Sequence, residues 1–141
     1  MFIGEYSHSL DEKGRVSIPA KFRPDFGGGV VVTRGLDRCL FVYPKSEWQK
    51  MAQKLADLPL GQPKSRAFAR LMLAGAWDCE LDAQGRVMVP EYLRTFASLS
   101  KHAIIAGLYN RLEIWDEDAW HIYESAAEAE SDAIAEEIGL V

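Results

Sequence analysis

The sequence predicts a single α+β domain made of two copies of one unit related by a pseudo-two-fold axis. Three observations carry this. The stretch Leu10-Asp11-Glu12-Lys13-Gly14-Arg15-Val16-Ser17-Ile18-Pro19 returns as Leu81-Asp82-Ala83-Gln84-Gly85-Arg86-Val87-Met88-Val89-Pro90. An offset of 71 also matches Gly4 with Gly75 and Arg23 with Arg94; an offset of 72 matches Gly35 with Gly107, Leu40 with Leu112 and Trp48 with Trp120, leaving one extra residue between Arg94 and Ile104. Each unit, about seventy residues long, offers only a few short strands and a helix. That is too little to bury a core alone, so the two units must share one.

Residues 4–10 alternate as a strand, with Tyr6, His8 and Leu10 on one face. Asp11 to Gly14 then turn the chain: Asp accepts hydrogen bonds from the amides that follow it, and Gly supplies positive φ. Arg15 to Ile18 is expected to return as the second strand of a β-hairpin, Val16 and Ile18 inward, Arg15 and Ser17 outward. Pro19 ends the pairing and opens a short helical turn through Arg23. Val30 to Thr33 and Leu40 to Tyr43 are apolar strands, and Pro44 opens a helix with Trp48, Met51, Ala52, Leu55 and Leu58 on one face. After the break at Pro59 to Pro63, a helix from Lys64 to Ala74 connects the repeats, with Phe68, Leu71 and Met72 apolar and Lys64, Arg66 and Arg70 solvated. From Asp116 onward one long helix is expected through Trp120, Tyr123, Ala127, Ile134 and Ile138.

The 141 residues are 48% hydrophobic and 26% charged, the balance of an ordinary globular chain. The first residues lack a basic segment and an apolar stretch of signal-peptide type, and no run reaches membrane-spanning length, so a cytoplasmic location is expected. Net charge is -5, which at first argues against a polyanion partner. Nine of the acids, however, lie between Asp116 and Val141, where there is no Lys or Arg; twelve acids against sixteen bases remain before them. An acidic tail therefore masks a mildly basic body.

Enzymatic chemistry finds no support. Cys39 and Cys79 stand singly in apolar segments, and although Cys79 occupies the repeat position of His8, a metal site wants three or four ligands. His8 reads as a strand residue in or beside the core, His102 as part of the loop holding the extra residue, and His121 as a helix residue next to Trp120. Gly27-Gly28-Gly29 lacks the Lys and Ser/Thr of a phosphate-binding loop. No catalytic residue, metal, cofactor or small-molecule substrate is expected.

The repeated turn has two readings. In the structural one, Asp11 and Arg15 merely pair across it; an exposed ion pair is worth only about 0–1 kcal/mol, a weak reason to build the same turn twice. In the functional one, each carboxylate steers its guanidinium and leaves the remaining donors for a guanine edge or a phosphate oxygen, on a two-stranded ribbon that fits the major groove. Lys13 adds a phosphate contact at the first tip; at the second, Gln84 could read an adenine or bond the backbone. An oligomeric scaffold whose tips hold acidic protein segments is the alternative in a different functional class.

These residues resemble the MraZ family, transcriptional regulators of the bacterial division and cell-wall gene cluster. The resemblance runs over nearly the whole chain: Met1-Phe2 with Gly4, the two Asp-x-x-x-Arg motifs each followed by a β run and Pro19 or Pro90, and the spacings Tyr43-Trp48 and Trp115-Trp120. It implies a tandem AbrB-like swapped-hairpin β-barrel with flanking helices. A first module would span residues 1–60, a connecting helix 61–74, and a second module with a long acidic C-terminal helix 75–141. It implies a nucleoid-associated repressor of that gene cluster and of its own gene, a homo-oligomeric ring binding double-stranded DNA at direct repeats in the promoter region. Carried onto this sequence, the DNA-binding residues are Asp11, Lys13, Gly14, Arg15, Asp82, Gln84, Gly85 and Arg86. Ala83-Gln84 in place of Glu12-Lys13 makes the second tip less basic than the first.

Overall fold

Alternating apolar residues send the chain out as β1 (Phe2–Ser9) in a computed structural model, which describes residues 1–140. The fold is mixed α+β. The strand β1 pairs antiparallel along its whole length with β7 (His102–Tyr109), Phe2 opposite Tyr109 and Ser9 opposite His102. Its repeat counterpart β5 (Trp77–Cys79) pairs with β3 (Val30–Arg34). Hairpins join β3 to β4 (Leu40–Pro44) and β7 to β8 (Leu112–Asp116), and β4 pairs with β8, giving one antiparallel sheet in the order β1-β7-β8-β4-β3-β5. The opening strand of each repeat thus pairs with a strand of the other, and neither half closes its own sheet.

Two three-residue strands, β2 (Arg15–Ser17) and β6 (Arg86–Met88), form a separate ribbon. This corrects the expected local hairpin: the Asp11–Gly14 turn forms, but β2 does not pair with β1. β1 pairs with β7, the Leu10 amide donates to the Lys101 carbonyl at 2.8 Å, and the backbone groups of β2 find their partners across the repeat boundary, in β6. Beyond the two strands the ladder continues through Ile18 N to Gly85 O at 3.0 Å and Val89 N to Gly14 O at 2.9 Å.

Both faces of the sheet are covered, so its strands read as apolar runs in place of strict alternation. On one face, Val30, Val32, Leu40 and Val42 meet Val16, Ile18, Val87 and Val89 of the ribbon segments. Phe22 and Phe26 of a 3-10 helix (Ala20–Phe26) and Leu93 of α3 (Glu91–Phe96) complete that core. Val16 and Val87 are fully buried and anchor the ribbon by their inward faces; each contributes roughly 1.5–3 kcal/mol of transfer free energy. On the other face, Phe41, Tyr43, Ile104 and Trp115 pack with Leu55 of α1 (Lys45–Ala56) and with Trp120 of α4 (Glu117–Ala129). The buried Thr33 hydroxyl donates to the Met72 carbonyl at 2.7 Å, tying the connecting segment to β3.

Three sequence expectations change at the periphery. The connecting helix is α-helical only over α2 (Pro63–Ala69) and continues as a π-helical turn, Arg70–Ala74, of which only Met72 is buried, while Phe68 and Leu71 stay exposed. The long C-terminal helix breaks at Glu130 (φ -109°, ψ 13°) into α4 and α5 (Ser131–Glu137). The sheet lies under α4 but not under α5, whose residues are all unburied. His102 is not in a loop; it is the first residue of β7.

Candidate nucleic-acid interface

Each turn is built by one carboxylate. At the first, Asp11 Oδ1 accepts from the amides of Lys13 (3.0 Å) and Arg15 (2.9 Å), and Oδ2 accepts from Arg15 Nε at 2.6 Å. At the second, Asp82 Oδ1 accepts from the amides of Gln84 and Arg86, both at 2.9 Å, and Oδ2 from Arg86 Nε at 2.8 Å. The amides of Gly14 and Gly85 return to the carbonyls of Asp11 and Asp82, with φ of 78° and 76°, the left-handed conformation that glycine adopts without strain. The amide of Arg15 is the leading cause holding the Asp11 carboxyl below the usual carboxylate range, and the amide of Arg86 does the same for Asp82.

The ribbon brings the two turns together. Arg15 lies opposite Met88 and Ser17 opposite Arg86, so both arginines project from the outward face, on the diagonal, above the buried Val16 and Val87. Diagonal neighbours of this kind are about 7–8 Å apart, roughly two base-pair steps. With Nε committed to its own aspartate, the Arg15 guanidinium keeps its Nη donors for an incoming acceptor, and Arg86 keeps at least Nη2. The side chains are 30% (Arg15) and 26% (Arg86) exposed, so the ribbon is a shallow surface and not a pair of protruding tips. Lys13 and Gln84 are exposed beside it.

The turns are chemically unequal in one further way. Arg86 Nη1 lies 3.8 Å from Asp11 Oδ2, so Arg86 faces two carboxylates, whereas Arg15 is recorded with Asp11 alone.

Of the eight residues expected from the sequence, Asp11, Lys13, Arg15, Asp82, Gln84 and Arg86 lie around one surface, while Gly14 and Gly85 are buried beneath two further residues, Arg94 and Arg23, met in the sequence only as matching repeat positions. Arg94 covers Gly14, and Arg23 covers Gly85: a Cβ at either glycine would fall on the guanidinium. Arg23 is itself pinned, donating from Nε to the Ile18 carbonyl at 2.9 Å. Each turn is therefore backed by an arginine of the opposite repeat, a relation that only the crossed pairing creates. His8 is half-buried; burial and the nearby Arg23 both lower its pKa.

Nucleophile chemistry has no foothold in the thiols, since burial raises the pKa of both Cys39 and Cys79, the latter to about 11. Among the described residues no group of three or more His, Cys, Asp or Glu converges as a metal site, and no helix is long and apolar enough to cross a membrane.

Fold and site together define a two-repeat α+β protein that presents paired, carboxylate-steered arginines on a ribbon shared by the repeats. The model of the family described as "MraZ protein, putative antitoxin-like" matches twice, over residues 1–71 and 72–140. The chain is 51% identical to Transcriptional regulator MraZ of Natranaerobius thermophilus, over 98% of this chain and 96% of the relative. It is 49% identical to the protein of the same name from Carboxydothermus hydrogenoformans (98% and 96% covered). It is also 49% identical to that of Limosilactobacillus reuteri (99% of each). The chain belongs to the MraZ family.

Proposed function

We propose that this protein is a sequence-specific DNA-binding transcriptional regulator that reads direct repeats with the β2–β6 ribbon. The observation that carries the reading is the placement of Arg15 and Arg86 on one outward face, each with Nε held by its own aspartate, Arg15 with its Nη donors open and Arg86 with Nη1 turned toward Asp11 and Nη2 open. Such a fork matches the O6 and N7 acceptors of guanine, and two forks about two base-pair steps apart suit neighbouring bases in the major groove. Lys13 and Gln84 flank the ribbon for phosphate or base contacts, and the exposed Met88 offers an apolar surface for a thymine methyl. The names of the relatives support regulation of transcription; we infer repression of the division and cell-wall gene cluster and of the protein's own gene, on nucleoid DNA.

In this reading the strand exchange between repeats is that of a swapped-hairpin β-barrel of AbrB-like modules, residues 1–60 and 75–141, about a pseudo-two-fold axis, joined by residues 61–74. The body is only mildly basic, so one ribbon gains little non-specific attraction, and a ring of protomers on successive repeats supplies affinity through effective concentration. Fluorescence-anisotropy titration with DNA carrying several direct repeats from upstream of the gene tests this. Tight, salt-sensitive binding that weakens when the repeats are scrambled is expected; equal binding to scrambled DNA overturns sequence recognition.

A further inference from the structure

Two apolar surfaces lie uncovered on separate parts of the molecule. At the β5 end, α2 and the π-helical turn leave Phe68 and Leu71 37% and 49% exposed. Beside them runs an open groove of about 920 Å³, lined by Leu71, Ala74, Trp77 and Tyr92 and flanked by Arg34 and Arg70. Lys64 and Arg66 on α2 extend the positive charge.

Elsewhere, α4 packs on β7 and β8, second and third in the sheet order, and α5 follows it. No residue of α5 is buried, and Ile134 and Ile138, one turn apart, are 42% and 68% exposed, with Leu140 beyond them at 78%. Around this stripe stand Asp132, Glu136 and Glu137, and the chain carries no Lys or Arg after Arg111. Seven residues fall short of the roughly 12–15 that an isolated helix needs to persist in water, so a packing partner must hold α5.

We propose that α5 of one copy seats in the α2–β5 groove of the next, Ile134 and Ile138 against Leu71 and Trp77, with its carboxylates meeting Arg34 and Arg70. The two surfaces match in kind, each an apolar strip bordered by charge, and oppose each other in sign. Within one copy the two surfaces do not pack on each other: α5 packs chiefly on α4, and α2 on the π-helical turn and α1. The contact is therefore head-to-tail, the heterologous kind that propagates and can close into a ring. It deepens the assembly part of the proposed function and rests on that reading for ring closure.

Solution mass by sedimentation tests it on the full chain, using Ile134→Asp/Ile138→Asp to disable the arm and Leu71→Asp to disable the groove; all three positions are exposed. Each variant alone should be monomeric with an unchanged circular-dichroism spectrum. Mixed in equal amounts, they should form a one-to-one dimer and nothing larger, because only one arm and one groove remain intact. Arg70→Glu should lower the mass, and adding Glu136→Arg and Glu137→Arg in the same chain should restore it. Variants that keep the wild-type mass, or a mixture that stays monomeric, overturn the interface while leaving the ring and DNA readings standing, and would give the groove to a different protein. A monomeric wild type overturns ring and interface together.

Discussion

Arg86 reaches across the repeat boundary to Asp11, its Nη1 3.8 Å from Oδ2, while Arg15 makes its ion pair within its own turn. Asp11 thus steers two guanidinium groups and Asp82 one. Arg86 carries the more fully compensated charge, and the basic neighbour Lys13 sits beside Arg15. In binding to repeat DNA, Arg15→Ala should therefore cost more than Arg86→Ala. One bidentate base contact is worth about 1–3 kcal/mol, which sets the Arg15→Ala loss at roughly five- to a hundredfold. Anisotropy titrations of both variants, with circular dichroism to confirm folding, check the order; equal losses would remove the functional meaning of the crossed ion pair.

Asp11→Ala should be worse for binding than Asp82→Ala, although the two turns match bond for bond. Either change releases two backbone amides and one Nε, and loss of Asp11 also frees Arg86 from its second carboxylate. Thermal melts should fall by similar amounts in the two variants, since the local bonds are the same. A difference in DNA affinity without a matching difference in Tm isolates the shared steering.

Gly14→Ala and Gly85→Ala should destabilise the fold and weaken DNA binding together. Positive φ costs a non-glycine residue about 1–2 kcal/mol, and the new Cβ would collide with Arg94 or Arg23 respectively. Combining Gly14→Ala with Arg94→Ala should relieve the clash with the guanidinium but neither the 2.9 Å approach to the Val89 carbonyl oxygen nor the backbone strain, recovering part of the lost urea midpoint. Full recovery would mean that the turn tolerates alanine and that crowding alone had been the problem.

The repeat and the two turns were legible because their signals are local: an Asp that caps, a Gly that turns, a Pro that stops. What joins to what was not. A three-residue strand such as β2 carries no register information, and its partner, 71 residues away in β6, is set by the packing of both segments on one shared core, not by local sequence. Arg23 and Arg94 were visible as matching positions, yet their cover of Gly85 and Gly14 exists only once the strands cross. The break at Glu130 had only a faint local signal, Ser131-Asp132, inside a run whose Ala and Glu residues favour helix.

His8 should make stability pH-dependent in a definite direction. Its side chain is half-buried on β1, and burial followed by the charge of Arg23 lowers its folded pKa below 6.5. The unfolded chain, where His8 titrates near 6.5, then binds more protons than the folded one whenever pH falls below that value. Stability accordingly rises with pH through this window and is fully present above it, and it falls as acid is added until the folded histidine also titrates. Asp11 and Asp82 do not confuse the reading, because their folded pKa values lie below the ordinary carboxylate range and both stay ionised. Urea midpoints measured from pH 5.5 to 8 should slope upward in the wild type and flatten in His8→Gln, with His102 and His121 still present in both. An unchanged slope in the variant would place the pH dependence on another group and leave His8 as a neutral bystander to Arg23.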